Sequence, residues 1–168
     1  MSVNQNVAAP SGAPGAVARF TGTVFGFVPL SLTMLALRLA LAVPFWRSGM
    51  TKWDGFLNVS FGAKQLFAEE FKLHLFGAEI AYPAPELVAT LSAIGEVSFP
   101  VLLVLGLGAR YAALALLGMT AIIQLTVPDG WANFHLIWAS TALAIMTFGP
   151  GRIALDYVLG IDRPARKD

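Results

Sequence analysis

The chain has 168 residues, of which 57% are hydrophobic and 12% are charged, and it contains no cysteine. Soluble domains carry roughly 25% charged residues and about 45–50% apolar ones, so this composition excludes disordered, collagen-like and disulfide-stapled classes and argues against a water-exposed globule. The net charge of +1 gives no electrostatic basis for binding nucleic acid. We therefore expect an integral membrane protein.

The N-terminal segment 1–28 begins with a stretch rich in Pro, Gly, Ala and Ser that has no periodicity, which is typical of a disordered or interfacial tail. It has no basic start leading into an apolar stretch with a cleavage site, so we expect no signal peptide. The predicted membrane domain covers residues 29–151. Residues 152–168 are expected to form a short amphipathic turn and a polar tail.

Four apolar blocks follow the N-terminal segment, each about the ~20 residues that a helix needs to cross the hydrocarbon layer. They lie at about 29–50, 86–107, 111–127 and 131–148. The connections after the second and third blocks are short, which makes the last three helices antiparallel neighbours. The prediction is an all-α fold, an integral membrane four-helix bundle.

The connection between the first two blocks predicts an amphipathic helix at the membrane interface. A surface helix packed on the end of the bundle fits the same pattern equally well. Its apolar positions are Leu66, Phe67, Phe71, Leu73 and Leu75, and its charged ones are Lys64, Glu69, Glu70 and Lys72.

Basic residues at the ends of the blocks predict how the chain is oriented, because cytoplasmic loops of membrane proteins carry an excess of Lys and Arg. With both termini cytoplasmic, six basic residues face the inside and three face the outside. We therefore expect a multi-pass protein of the bacterial inner membrane with both termini inside. The inner set is Arg19, Arg110, Arg152, Arg163, Arg166 and Lys167, and the outer set is Lys52, Lys64 and Lys72.

Two charged residues fall near the middle of predicted spans, where a charge costs about 2.5–3.5 kcal/mol on insertion scales. Arg38 lies in the first span and Glu96 in the second. Because these spans run antiparallel, we expect the two side chains to pair at one depth. Pro100 adds a local break, since it cannot donate to the carbonyl of Glu96. The pair is either an interhelical clamp without chemistry or part of a polar pocket or proton relay.

A second group of polar and aromatic residues is expected at the outer mouth of the bundle. Trp residues at one membrane face form an aromatic belt by default. Alternatively, this group holds a quinone headgroup, with His135 and Gln124 placed for hydrogen bonds to its carbonyls. No metal site is expected, because two separated His and no Cys match no ligand spacing. The candidate quinone-binding set is Trp46, Arg47, Lys52, Gln124, His135 and Trp138.

Four stretches of the chain resemble the DoxX family of small bacterial membrane proteins. The family's Arg in helix 1, its Gly-x-x-Lys sequence and its helix 2 Glu correspond to Arg38, Gly49 with Lys52, and Glu96. Its Gly-Leu-x-x-Arg turn corresponds to residues 106–110. The stretches are LRLALAVPFWRSGMTKW (37–53), LFAEEFKLHL (66–75), ATLSAIGEVSFPVLLVLGLGARYAALALLGM (89–119) and HLIWASTALAIMTFGPGRIALD (135–156).

The resemblance implies a membrane subunit of a redox-linked complex, because some members of the family resemble subunits of quinone-linked sulfur or thiol oxidoreductases. The absence of Cys means that any thiols must come from a partner. Two alternatives stay open. One is a scaffold that recruits a soluble enzyme or peptide through residues 58–80 or the basic tail. The other is an exporter of small solutes or peptides, which would require a homo-oligomer.

Overall fold

The computed structural model describes residues 15, 20, 22, 26 and 28–162. Most of the predicted N-terminal segment and the end of the polar tail lie outside these residues. The described chain is mainly helical and contains one two-stranded sheet. Its elements are α1 Leu30–Met50, α2 Phe61–Gln65, a π-helical turn Leu66–Glu70, β1 Lys72–Leu75, β2 Ala78–Ala81, α3 Pro85–Leu105, α4 Ala109–Thr126, a 3₁₀ turn Pro128–Gly130, a π-helical turn Trp131–His135, α5 Leu136–Phe148 and α6 Leu155–Val158.

The observed helices lie close to the predicted apolar blocks. Within the described part of the chain, α1, α3 and α4 are long and apolar enough to cross a membrane. The fourth block forms α5, which has 13 residues and is preceded by the π-helical turn that begins at Trp131. Three candidate spans are therefore present, and a fourth crossing stays a prediction.

The long helices pack in a ring, α1 against α3, α3 against α4, α4 against α5, and α5 against α1. In the most apolar windows of the three candidate spans only 33%, 33% and 28% of the residues are buried. A helix that is apolar on its outward face as well as its inward face is typical of a membrane span. The buried side chains that fill the centre include Met34, Leu41, Phe45, Leu103, Leu116 and Ile145.

The connection between α1 and α3 contradicts the all-α prediction. Lys72–Leu75 pairs antiparallel with Ala78–Ala81, so the predicted helix over 66–75 is wrong from Lys72 onward. Leu73 and Leu75 alternate with Lys72 and His74, which is the period of two of a strand. Phe76 and Gly77 close the hairpin with φ values of 51° and 83°. Positive φ at both central positions is what a tight type I′ hairpin turn requires.

This hairpin lies over the C-terminal end of α4. His74 Nδ1 is 3.1 Å from the Leu125 carbonyl oxygen, and the Tyr82 hydroxyl is 2.5 Å from Thr126 Oγ1. We call the end of the helices covered by residues 51–84 the long-loop end. The opposite end, with the turn at 106–108 and residues 149–162, is the short-turn end.

Candidate ligand-binding cavity

Arg38 is completely buried, but it does not pair with Glu96, so the predicted Arg38–Glu96 ion pair is wrong. Arg38 Nη1 donates to the carbonyl oxygens of Leu103 and Val104 at 3.1 and 3.0 Å, and Nη2 donates to that of Ile153. Two of these carbonyls lie in the last turn of α3, where the helix dipole favours a cation. Arg38 thus holds the C-terminal end of α3.

The turn between α3 and α4 is contacted by a buried carboxylate. Asp156 is buried, and its two carboxylate oxygens accept from the backbone N–H groups of Gly108 and Ala109 at 2.8 and 2.9 Å. These groups begin α4, where N–H groups lack intrahelical partners and the dipole favours an anion. The Asp156 N–H donates to the Gly106 carbonyl at 2.8 Å. The buried charges at the short-turn end therefore stabilise the C-terminal end of α3 and the N-terminal end of α4.

Arg110 extends this pattern to the next helix. Its guanidinium donates to the carbonyls of Met146 and Thr147 in the last turn of α5 and pairs with Asp162. Arg110 therefore acts on α5 as Arg38 acts on α3.

Glu96 finds a different partner at the long-loop end. Its Oε2 lies 2.5 Å from Lys52 Nζ, and its Oε1 accepts from Ser92 Oγ at 2.7 Å. Lys52 Nζ also donates to Ser48 Oγ at 3.0 Å. The side chains of Lys52 and Glu96 are only 13% and 5% exposed. We call Ser48, Lys52, Ser92 and Glu96 the polar cluster.

The offset between α1 and α3 explains why Glu96 meets Lys52. A Cβ atom built on Gly49 would lie 2.9 Å from the Cβ of Glu96, so the middle of α3 crosses the last turn of α1. Arg38 lies about three helical turns away along α1 and therefore reaches the end of α3 instead. The prediction that Arg38 and Glu96 lie at one depth assumed that the midpoints of α1 and α3 lie at the same level. They do not, because the middle of α3 meets the last turn of α1.

Beside the polar cluster lies a cavity of about 710 Å³ between α1, α3 and α4. All four residues of the polar cluster are among its lining residues. Phe67, Phe71 and Tyr82 of the long loop cover it at one end. Its walls are otherwise almost wholly apolar and include Phe45, Phe99, Met119, Ile123 and Trp138.

Part of the cavity lining belongs to the outward surface of the helices. Leu91 and Ile94 of α3 and Ile122 of α4 line the cavity and are about half exposed. These side chains lie on faces that are mainly apolar, which are the faces a bilayer would cover. The cavity thus has a side between α3 and α4 from which a lipid-soluble molecule could enter.

The structure divides the six predicted quinone-binding residues. Lys52 and Trp138 line the cavity. His135 Nδ1 and Gln124 Oε1 lie 2.7 Å apart, so these two side chains bond to each other, and the His135 ring packs on Trp138 at 5.3 Å. The remaining two, Trp46 and Arg47, are exposed on α1 and are not among the residues that line the cavity.

Several cavity residues escaped the sequence reasoning. Ser92 precedes Glu96 by four positions and Ser48 precedes Lys52 by four, the spacing at which side chains meet on a helix. That signal was available for Ser92, whereas Lys52 lies past the end of α1 and outside the helical spacing. The aromatic cover from the long loop was not readable, because it depends on how residues 51–84 fold back. Among the described residues, no group of three or more His, Cys, Asp or Glu is placed to hold a metal ion.

Three helices that are long and apolar enough to cross a membrane, and that are apolar on much of their outward surface, indicate a helical membrane protein. The DoxX family model matches residues 33–129, more than half of the chain, so this chain belongs to the DoxX family, as the resemblance implied. The chain is 28% identical over 142 residues to a protein of Haemophilus influenzae described as uncharacterized, which covers 76% of this chain and 83% of the relative. No solved structure gives a significant match.

Proposed function

We propose that this DoxX-family protein is the membrane subunit of a redox-linked complex and binds a membrane quinone, in its oxidised or reduced form, in the cavity beside the polar cluster. The observation that carries the proposal is the combination of an apolar cavity, a lipid-facing side between α3 and α4, and one buried charged pair. Ligand sites are usually apolar with a few polar groups that fix orientation.

The residues present fit such a ligand. The volume of about 710 Å³ lies within the roughly 300–1,000 Å³ of small-molecule sites. Phe45, Phe99 and Trp138 offer ring faces and edges for a planar headgroup. The polar cluster supplies hydrogen-bonding groups at one side, and the half-exposed side chains between α3 and α4 leave room for an apolar tail.

A quinone supplies electron and proton transfer when it is bound. The chain's own residues would orient its headgroup against the polar cluster, and the aromatic cover of Phe67, Phe71 and Tyr82 would exclude water. Because the chain has no Cys, an electron donor that uses thiols would belong to a partner protein.

The direct test uses a substitution that narrows the opening of the cavity between α3 and α4. We expect purified protein in detergent to bind a decyl-substituted benzoquinone saturably, and Ile122→Trp to weaken that binding at least about tenfold by filling the entrance. Leu143→Trp is the matched control, because Leu143 is equally exposed on α5 and does not line the cavity. Absence of saturable binding of both the benzoquinone and its hydroquinone, or equal losses in the two variants, would contradict the proposal.

For the location of the chain, we propose the bacterial inner membrane with four crossings and both termini in the cytoplasm. Among the described residues, Arg110 and Arg152 lie at the short-turn end, whereas Arg47, Lys52, Lys64 and Lys72 lie at the long-loop end. The proposed orientation therefore depends on the remaining basic residues of the predicted inner set. The other four residues of the predicted inner set lie outside the described residues. A single introduced cysteine has no native competitor, so labelling intact cells with an impermeant maleimide should modify Phe76→Cys and spare Tyr157→Cys.

Recruitment of a soluble partner is a second candidate, and one observation favours it. Leu57 and Phe76 are bulky, highly exposed residues of the long loop, and both adopt positive φ, which is rare for such side chains. Replacing both with Ser should abolish capture of a partner and leave quinone binding unchanged. The exporter hypothesis stays a prediction, although the described contacts of Arg38 and Glu96 include no bond between the two side chains.

A further inference from the structure

We propose that the cavity selects the reduced, hydroquinone form of its ligand over the quinone form. This inference rests on the proposed function and specifies the chemical state of the ligand. It follows from a count of the hydrogen-bond donors and acceptors that the cavity still has free.

The ammonium group of Lys52 has no donor to spare. An ammonium carries three N–H donors and no acceptor. Lys52 Nζ lies 2.5 Å from Glu96 Oε2, 3.0 Å from Ser48 Oγ and 3.4 Å from the Ser48 carbonyl oxygen. All three donors therefore have partners within the protein.

The carboxylate of Glu96 has acceptor capacity left. An ionised carboxylate offers about four lone-pair sites and no donor. Lys52 occupies a site on one oxygen and Ser92 a site on the other. Both oxygens can accept one more hydrogen bond. The Ser92 hydroxyl proton is already donated to Glu96, so this side chain also offers only lone pairs.

The second polar contact along the cavity shows the same imbalance. Thr126 Oγ1 donates to the Ile122 carbonyl at 2.9 Å. The proton in the 2.5 Å contact between Thr126 and Tyr82 must therefore come from the Tyr82 hydroxyl. Within the polar cluster, the Ser48 hydroxyl proton is the one donor that no described bond uses, whereas Glu96 has at least two free acceptor sites.

A quinone and its hydroquinone differ in whether their oxygens can donate a hydrogen bond. The excess of free acceptors over free donors in the polar cluster distinguishes the two. The two carbonyl oxygens of a quinone only accept hydrogen bonds, so a carbonyl beside Glu96 would place acceptor against acceptor. Each hydroxyl of a hydroquinone donates one hydrogen bond and also accepts. One hydroxyl can therefore donate to Glu96 and accept from Ser48, which satisfies both groups.

The expected preference is large enough to measure. A hydrogen bond to a charged group contributes about 1.5–3 kcal/mol, which corresponds to a preference of roughly tenfold to a hundredfold. A site that is built to accept a substrate O–H discriminates strongly against an analogue that lacks it.

The test measures the dissociation constants of three probes under anaerobic conditions in the full-length protein: a decyl-substituted benzoquinone, its hydroquinone and the dimethyl ether of that hydroquinone. We expect the hydroquinone to bind at least about tenfold more tightly than the other two. Glu96→Gln supplies an amide that both donates and accepts, so it should remove the preference. Glu86→Gln is the control, since Glu86 is exposed in the first turn of α3 and does not line the cavity.

A second variant moves the preference in the opposite direction and covers the case in which Glu96→Gln does not fold. Ser48→Ala removes the spare donor, so it should weaken quinone binding more than hydroquinone binding. Equal affinity of the wild type for quinone and hydroquinone, or a preference that Glu96→Gln retains in folded protein, would overturn the inference and leave the proposed function standing. Failure of both forms to bind would instead contradict the proposed function.

Discussion

The two ends of the molecule use buried charge in different ways. At the short-turn end, Arg38 and Asp156 are directed at backbone groups, the last carbonyls of α3 and the first N–H groups of α4. At the long-loop end, Lys52 and Glu96 are directed at each other, beside a cavity. Both pairs include a residue inside an apolar helix, but only the second lines the apolar cavity between α1, α3 and α4.

This difference shows that a buried charge in a membrane helix has to be interpreted through its partners. An ionisable residue inside a span is expected to be functional by default. From the sequence, Arg38 is such a residue. In the structure, however, its guanidinium donates to the last carbonyls of α3 and to Ile153, which is a contact that stabilises a helix end. Glu96 retains free acceptor sites and lines the cavity. The comparison therefore assigns a structural role to the buried charges at the short-turn end and supports the proposal of ligand binding at the long-loop end.

The largest expected effect is the loss of stability caused by Arg38→Met. This change leaves three carbonyls without their buried cationic donor, and each unsatisfied buried acceptor costs about 1–3 kcal/mol, so the free energy of unfolding should fall by more than about 3 kcal/mol. Reversible unfolding in detergent measures it. Arg47→Met, on the exposed side of the same helix, should lower it by less than about 1 kcal/mol. Similar losses of the free energy of unfolding in the two variants would contradict the structural role assigned to Arg38.

An intermediate effect is expected where α1 crosses α3. Gly49→Ala places a Cβ atom 2.9 Å from Glu96 Cβ and 3.0 Å from its backbone carbonyl, so the helices must separate, at a cost of about 1–3 kcal/mol. Gly118→Ala is the matched control in α4, where nothing lies within 4 Å. Its higher helix propensity should stabilise by up to about 1 kcal/mol. Thermal unfolding of the two variants should therefore shift in opposite directions, and a tolerated Gly49→Ala would contradict the close approach.

The smallest expected effect on ligand binding comes from His135→Ala. His135 bonds to Gln124 and reaches the cavity only through the ring of Trp138, so quinone affinity should change less than about fivefold. Trp138→Leu, which alters the cavity wall itself, should weaken binding more. A larger loss in His135→Ala than in Trp138→Leu would restore the original prediction that His135 contacts the headgroup.

Hydropathy and turn residues were sufficient to predict the approximate positions of α1, α3, α4 and α5. Pro29 stands immediately before α1, and the turn at 128–130 separates α4 from the helical turn that leads into α5. These signals are local, so a single sequence contains them. The hairpin at 72–81 was missed because Leu73 and Leu75 fit the helical pattern of the preceding residues as well as a strand.

The pairing of charges was not predictable in the same way. Whether Glu96 meets Arg38 or Lys52 depends on how far α3 extends past the end of α1. That offset is set by packing, and the absence of a side chain at Gly49 permits the close approach of the two helices. The i to i+4 spacing of Ser92 and Glu96 could have identified half of the polar cluster, whereas the contribution of Lys52 required the register between two helices.

The most direct test of the account is a pair of double-mutant cycles on the free energy of unfolding. One cycle combines Lys52→Met with Glu96→Gln, and the other combines Arg38→Met with Glu96→Gln. We expect a coupling energy of at least about 1 kcal/mol for Lys52 with Glu96, and a value within about 0.5 kcal/mol of zero for Arg38 with Glu96. Strong coupling between Arg38 and Glu96, with none between Lys52 and Glu96, would contradict the separation of the two ends.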